Sequence, residues 1–283
     1  MEYATLSNGV RMPVLGYGVF QIDPRETEGR VREAIAAGYR SIDTAQGYYN
    51  EDGVGMAVAK CRVPREEIFL TTKIWISNAG YERAKASIEA SLKKLRTDYI
   101  DLMLIHQPFG DYYGAYRAME EAYRAGKLRA IGVSNFDPDR LIDIAGFMEI
   151  SPMVNQLETH VFQQQRAAQP VLTEYGAQLM AWSPLAQGQN GILQNEVLAG
   201  IGERHGKTVA QIALRFLVQS GTVVIPRSVQ RKHMEENIDI FDFRLTSREM
   251  ETIRALDLGK SQFIDHHAAE VAKMFVSAGK IAG

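Results

Sequence analysis

Eight short apolar segments recur along the chain, roughly one every 35 residues, and most of the intervals between them carry a helical pattern. The segments are VLGYG (14–18), SIDTA (41–45), IFLTTKIW (68–75), YIDLMLIHQ (99–107), LRAIGVSNF (128–136), MVNQLETHV (153–161), AQLMAWSPL (177–185) and TVVIPRS (222–228). Most are too short for helices and lack a clean polar alternation, as expected of strands covered by helices. Between them, residues 78–96 place Ala84, Ile88, Leu92 and Leu95 on one helical face, and residues 26–39 carry Val31, Ile35 and Gly38. Residues 111–127 end at Gly126, which suits a helix C-terminus. Residues 137–149 open with Asp137-Pro138, an N-cap followed by the favoured first-turn proline. Residues 208–221 close at Gly221, and residues 246–259 open with a Thr-x-x-Glu capping pattern. The pattern over 163–176 is weaker, because Pro170 interrupts it.

Strands alternating with helices predict parallel α/β architecture, and eight such units predict a single (β/α)8 TIM barrel spanning residues 1–283. A doubly wound sheet is the alternative. It is weakened at GYG (16–18), which has a hairpin before it and no third glycine in register for a dinucleotide fingerprint. The hairpin covers residues 3–15, where Asn8-Gly9 predicts a type I′ turn. No linker or low-complexity tract marks a second domain, and residues 186–195 read as a polar loop.

The formal net charge of −2 gives no basic excess of the kind that recruits nucleic acid or an anionic membrane. The one cysteine, Cys61, allows no intramolecular disulfide and fits a reducing compartment. The first residues lack the basic and apolar regions of a secretory leader, and no apolar run reaches the length of a membrane span. These features predict a soluble cytoplasmic protein, and nothing in them demands more than a monomer.

A barrel concentrates its chemistry where strands end and loops begin. Asp43 ends the second segment, Lys73 lies near the end of the third, and His106 ends the fourth. Tyr48 follows in the loop after the second. Neighbouring strands would therefore bring a carboxylate, an ammonium, an imidazole and a phenol together. A free phenol has a pKa near 10, too high for a proton shuttle at neutral pH. A lysine about 4 Å away could lower it by up to ~3 units before desolvation pushes it back. Asp43 would keep Lys73 charged, His106 would orient a carbonyl, and Tyr48 would be the general acid. Two other readings use the same residues: a Schiff-base aldolase with Lys73 neutral, and a barrel that binds a nucleotide without chemistry. Asp43 beside Lys73 counts against the first.

At these four positions the chain resembles the aldo-keto reductases. DTAQGYYNEDGVG (43–55) is similar to that family's Asp-Thr-Ala-x-x-Tyr-x-Asn-Glu signature, and IPRSV (225–229) to its Ile-Pro-Lys-Ser segment. DLMLIHQP, GVSNF, NQLETH and AWSPL follow in the expected order, so the likeness covers about residues 5 to 265. It is closest in character to the small bacterial branch with 2,5-diketo-gluconate and methylglyoxal reductases. The resemblance implies a catalytic tetrad of Asp43, Tyr48, Lys73 and His106. It implies NADPH, with Ser134, Asn135 and Gln156 holding the nicotinamide carboxamide and Trp182 stacking on its ring. Ser183, Leu185 and Gln187 would follow the pyrophosphate, while Arg227, Ser228, His233 and Asn237 would hold the adenosine end. The family usually has Lys where Arg227 stands and commonly Arg where His233 stands, so NADH use is also expected. Phe20 and Trp75 would wall the substrate pocket. Gln107 replaces a frequent Trp and would open the pocket to small polar or dicarbonyl substrates. The tail 261–275 is expected near the site, and His266 and His267 are expected to bind no metal.

Overall fold

The computed structural model describes residues 1–280. An antiparallel pair, β1 (Tyr3–Thr5) and β2 (Arg11–Pro13), precedes a parallel sheet of eight strands. These are β3 (Tyr17–Gly18), β4 (Ser41–Asp43), β5 (Phe69–Ile74), β6 (Leu102–Ile105), β7 (Ile131–Ser134), β8 (Val154–Glu158), β9 (Gln178–Trp182) and β10 (Val223–Val224). Each pairs with its neighbours in chain order. The sheet closes on itself: Leu15 bridges Val224 in parallel, and Gly16 N–H donates to the Val224 carbonyl at 2.8 Å. Closure removes the free edges that an open sheet would present. The expected barrel is the observed fold, and it lies within the eight apolar segments read from the sequence.

The helices are α1 (Pro24–Ala36), α2 (Glu51–Lys60), α3 (Tyr81–Leu95), α4 (Tyr112–Arg124), α5 (Pro138–Phe147), α6 (Ala168–Glu174), α7 (Glu196–His205), α8 (Val209–Gln219), α9 (Arg231–Ile238), α10 (Ser247–Arg254) and α11 (Ala269–Lys280). The face of α3 expected from periodicity is buried: Ala84, Ile88, Leu92 and Leu95 all point inward. Helix α2 lies so close to the end of α3 that a Cβ on Gly55 would sit 2.2 Å from the Lys94 carbonyl oxygen. Thr246 and Glu249 form the expected capping box on α10.

Two local expectations need correction. The hairpin turn is not type I′, because Asn8 is not left-handed. Only Gly9 is, at φ 85°, after a turn closed by its N–H on the Leu6 carbonyl. That is the three-residue connection in which a left-handed glycine follows a tighter turn. Asn8 instead donates to the Arg129 carbonyl at 2.9 Å, tying the hairpin to the entry of β7. Asp137 and Pro138 occupy the N-cap and first turn of α5 as expected, although the Asp137 side chain makes no capping hydrogen bond. It pairs with His267 of the tail at 2.8 Å. The polar stretch 186–195 is not a plain loop but two short 3-10 turns.

Candidate active site

Asp43, Tyr48, Lys73 and His106 converge at the C-terminal mouth of the barrel. Lys73 Nζ donates to Asp43 Oδ1 at 2.5 Å and to the Thr44 carbonyl at 2.9 Å. The second oxygen of Asp43 accepts from Gln156 Nε2 at 2.8 Å. Both members of the pair are buried, Lys73 completely. Above the pair, the Lys73 ammonium lies 5.1 Å from the centre of the Tyr48 ring. The Tyr48 ring meets His106 edge-on at 5.5 Å, and His106 meets Trp75 at 5.0 Å. Phe20 covers the other side of Tyr48, with ring centres 5.0 Å apart.

No strand end places Tyr48 directly. The 3-10 turn Gln46–Tyr48 does, and polar side chains of the same segment fix that turn. Thr44 donates to Asn50 at 2.7 Å, and Asn50 donates to the Val19 carbonyl at 3.0 Å. Gln46 accepts from Trp75 N–H at 3.0 Å and from Asn78 at 2.8 Å, while its amide donates to Ser91 at 3.1 Å. Thr72 donates to Glu51 at 2.7 Å. Gly47 lies under the Trp75 ring, where a Cβ would come within 2.9 Å of the indole. Buried polar groups that find partners specify one conformation. The sequence reading singled out Tyr48 and passed over the residues that hold it.

Burial and the Asp43 carboxylate push the Tyr48 phenol well above its usual 10. Tyr48 also borders the cleft. Lys73 is expected from the sequence to lower this pKa; with its ammonium 5.1 Å from the ring centre, burial outweighs it and the net direction is upward. Burial lowers the Lys73 ammonium, and Asp43 works against it. Burial, then the Lys73 charge, holds His106 well below 6.5. His106 is thus a neutral imidazole at pH 7. Among the described residues its Nδ1 is buried without a partner, and its ring borders the cleft.

A cleft of about 720 Å³ opens over this group. Phe20, Asp43, Tyr48, Trp75, His106 and Gln107 line it. So do Ser134, Asn135, Gln156, Trp182, Ser183, Leu185 and Gln187, together with Arg227, Ser228, His233 and Asn237. Among the expected site residues only Lys73 lies behind the surface. Trp182 is held by its indole N–H, which donates to Asn135 Oδ1 at 2.9 Å. Asn135 in turn donates to the His106 carbonyl at 3.0 Å, and Ser134 to the Gln156 carbonyl at 2.8 Å. Asn135, Ser183, Ala186 and Gln187 are all left-handed, a backbone habit that turns N–H groups toward one side. Arg227 donates to the Phe20 and Gln21 carbonyls through one nitrogen, leaving Nε and Nη2 without protein partners among the described residues. The tail supplies residues whose register the sequence did not reveal: Phe263, Ile264, His266, Met274 and Phe275. His266 Nε2 lies 2.8 Å from Gln107 Oε1.

A closed barrel with a phenol, an imidazole and a buried ion pair at its mouth belongs to the class of barrel oxidoreductases that act on carbonyl groups. Residues 14–258 match the aldo/keto reductase family, and this chain belongs to it. It is accordingly an NAD(P)H-dependent oxidoreductase acting on carbonyls. Glyoxal reductase of Bacillus subtilis (strain 168) is 48% identical over 254 residues, covering 89% of this chain and 91% of that protein. Methylglyoxal reductase DkgA of Escherichia coli (strain K12) is 42% identical over 261 residues, 90% of this chain and 93% of its own. MGS-M4, an aldo-keto reductase from a Medee basin deep-sea metagenome library, superimposes with a TM-score of 0.92 at 41% identity. It covers 94% of this chain and 99% of its own. The Bombyx mori aldo-keto reductase in complex with NADP has a TM-score of 0.87 at 32% identity, over 93% of this chain and 95% of its own. Among the described residues no helix is long and apolar enough to cross a membrane.

Proposed function

We propose that this protein reduces small polar aldehydes, ketones and dicarbonyls with NADPH, acting as a monomeric one-domain enzyme in the cytoplasm, with Tyr48 as the proton donor. The observation that carries this reading is the buried Asp43–Lys73 pair directly beneath the Tyr48 ring, with neutral His106 beside it. The residues lining the cleft fit the cofactor. Amides at Asn135 and Gln156 suit a carboxamide, the Trp182 indole suits a flat ring, and the open side of the Arg227 guanidinium suits a phosphate. When bound, NADPH supplies hydride to the carbonyl carbon.

The rest of the chemistry belongs to the chain. His106, neutral, donates from Nε2 to the carbonyl oxygen and aims it. Tyr48 delivers its proton to that oxygen as negative charge develops there. Lys73 stabilises the phenolate left behind, and Asp43 keeps Lys73 protonated and fixed. A Schiff-base role for Lys73 is disfavoured, because its ammonium is sealed from the cleft and paired at 2.5 Å. The relatives that reduce glyoxal and methylglyoxal by name support small dicarbonyls as substrates, as does the Gln107 amide on the cleft wall.

The test is absorbance at 340 nm with NADPH and a carbonyl panel, wild type against Tyr48→Phe. Loss of one hydroxyl leaves the cofactor residues in place. Turnover should fall by at least about a hundredfold, as for removal of a general acid. Retained turnover in the variant would assign the proton to another group.

A further inference from the structure

Glu158 is a buried carboxylate that the reduction does not use. It ends β8, two residues past Gln156 and on the same face, so it points toward the mouth of the barrel. No Lys or Arg pairs with it among the described residues. Three neutral donors surround it instead. His160 Nε2 is 3.0 Å from Oε1, Gln262 N–H donates to the same oxygen at 2.7 Å, and the Ser261 hydroxyl donates to Oε2 at 2.5 Å. The direction of each bond follows from its neighbours. His160 Nδ1 accepts from Phe162 N–H at 3.2 Å, which puts the ring proton on Nε2. Ser261 Oγ accepts from the N–H groups of Phe263 and Ile264, at 3.1 and 2.9 Å, so its own proton goes to Glu158.

Two of the three donors belong to the tail, more than a hundred positions away in sequence. Beyond them the tail runs across the substrate side of the cleft. Phe263 packs on Trp182 at 5.8 Å, His266 meets Gln107, and Phe275 approaches Trp75 at 6.4 Å. We propose that Glu158 is a positioning residue: its carboxylate anchors the root of the tail and thereby sets the substrate wall. The tail touches Trp75 and Gln107, whereas Arg227 is held by the Phe20 and Gln21 carbonyls, and His233 and Asn237 lie on α9, which packs on α1 and α8. Trp182 is held independently by Asn135. Loss of the anchor should therefore weaken substrate binding and spare the cofactor. The kinetic form of this proposal rests on the reductase reading.

The test uses Glu158→Gln, Ser261→Ala and the double variant. Ser261→Ala changes the tail alone and leaves the barrel intact. Each single variant should raise substrate KM by about tenfold, the worth of a charge-assisted hydrogen bond. The NADPH KM and kcat at saturating substrate should move less than twofold. The double variant should be no worse than the more severe single one, because both break the same contact. Trypsin should cleave faster at Lys260 and Lys273 in each variant. An unchanged substrate KM, an equal rise in both Michaelis constants, or multiplying losses would overturn the proposal. If the wild type oxidises no NADPH, the reductase reading fails on its own. The proteolysis rates then decide: faster cleavage supports the anchor, and equal cleavage refutes it.

Discussion

Replacing Asp43 by Asn would strand a lysine in the barrel. The wild-type pair is 2.5 Å apart, which at an effective dielectric near 20 is an attraction of about 7 kcal/mol before desolvation. Removing one partner of such a buried pair typically costs 3–5 kcal/mol, because the other charge is left uncompensated. The loss has a ceiling, since the lysine can escape by giving up its proton. Neutralising a lysine of ordinary pKa 10.4 at pH 7 costs about 5 kcal/mol. Asp43→Asn should therefore lose about 3–5 kcal/mol at pH 7. The sign of the pH dependence follows from burial, which lowers the Lys73 pKa in the folded state. Without Asp43 to oppose it, the folded variant binds fewer protons than its unfolded chain from neutral pH up to about 10.4. Its stability should then rise with pH across that window, and the deficit against wild type should shrink by up to about 1.4 kcal/mol per unit. Urea unfolding followed by the fluorescence of Trp75 and Trp182, at pH 7 and pH 9, measures both quantities. A deficit under about 1 kcal/mol, or one that does not change with pH, would refute the account of the pair.

Three further outcomes are expected. Because His233 stands where an arginine would grip a phosphate by two hydrogen bonds, NADPH should be preferred over NADH by a small factor. A gap of about a thousandfold in kcat/KM, roughly 4 kcal/mol, would contradict this. Gln107→Trp should narrow the cleft and break the contact to His266, lowering kcat/KM for small dicarbonyls about tenfold relative to a simple aldehyde of similar size. Parallel changes for both substrates would remove Gln107 from specificity. Although burial pushes Glu249 upward, hydrogen bonds from Thr246, His205 and Arg204 hold its carboxyl at about 2. It stabilises the fold above the usual carboxylate range and loses that contribution as pH falls toward 2. The Tm gap between wild type and Glu249→Gln should therefore close on acidification from pH 6, and a gap constant to pH 3 would refute it.

The barrel was legible because parallel strands buried on both faces leave runs such as FLTTKIW and YIDLMLIHQ, which no amphipathic helix imitates. The elements that escaped notice bury little. Helix α9 buries only Met234 and Asn237, so it offers no apolar stripe. Helix α7 carries Gly200 and Gly202, which read as breakers. At Gly202 a Cβ would fall 2.5 Å from the Lys207 carbonyl oxygen, so the glycine serves packing rather than a turn. Asp43, Lys73 and His106 stood out because a polar residue inside an apolar run is costly unless it has a partner.

The same signal marks the rim without saying what occupies it. Asp43, Gln156 and Glu158 are all polar residues in buried strands that end at the rim, yet the sequence singles out Asp43 by position, Gln156 only through the family resemblance, and Glu158 not at all. In the structure the first two are tied to each other at the cleft wall, while Glu158 holds Ser261 and Gln262 from 103 and 104 residues away. A strand-end carboxylate is read correctly only when its donors are known. Donors that arrive from a distant tail obey no period and leave no trace in local sequence. Position in the fold therefore identifies the reacting rim, and hydrogen-bond partners decide whether a rim residue acts on the substrate or on the wall that shapes it.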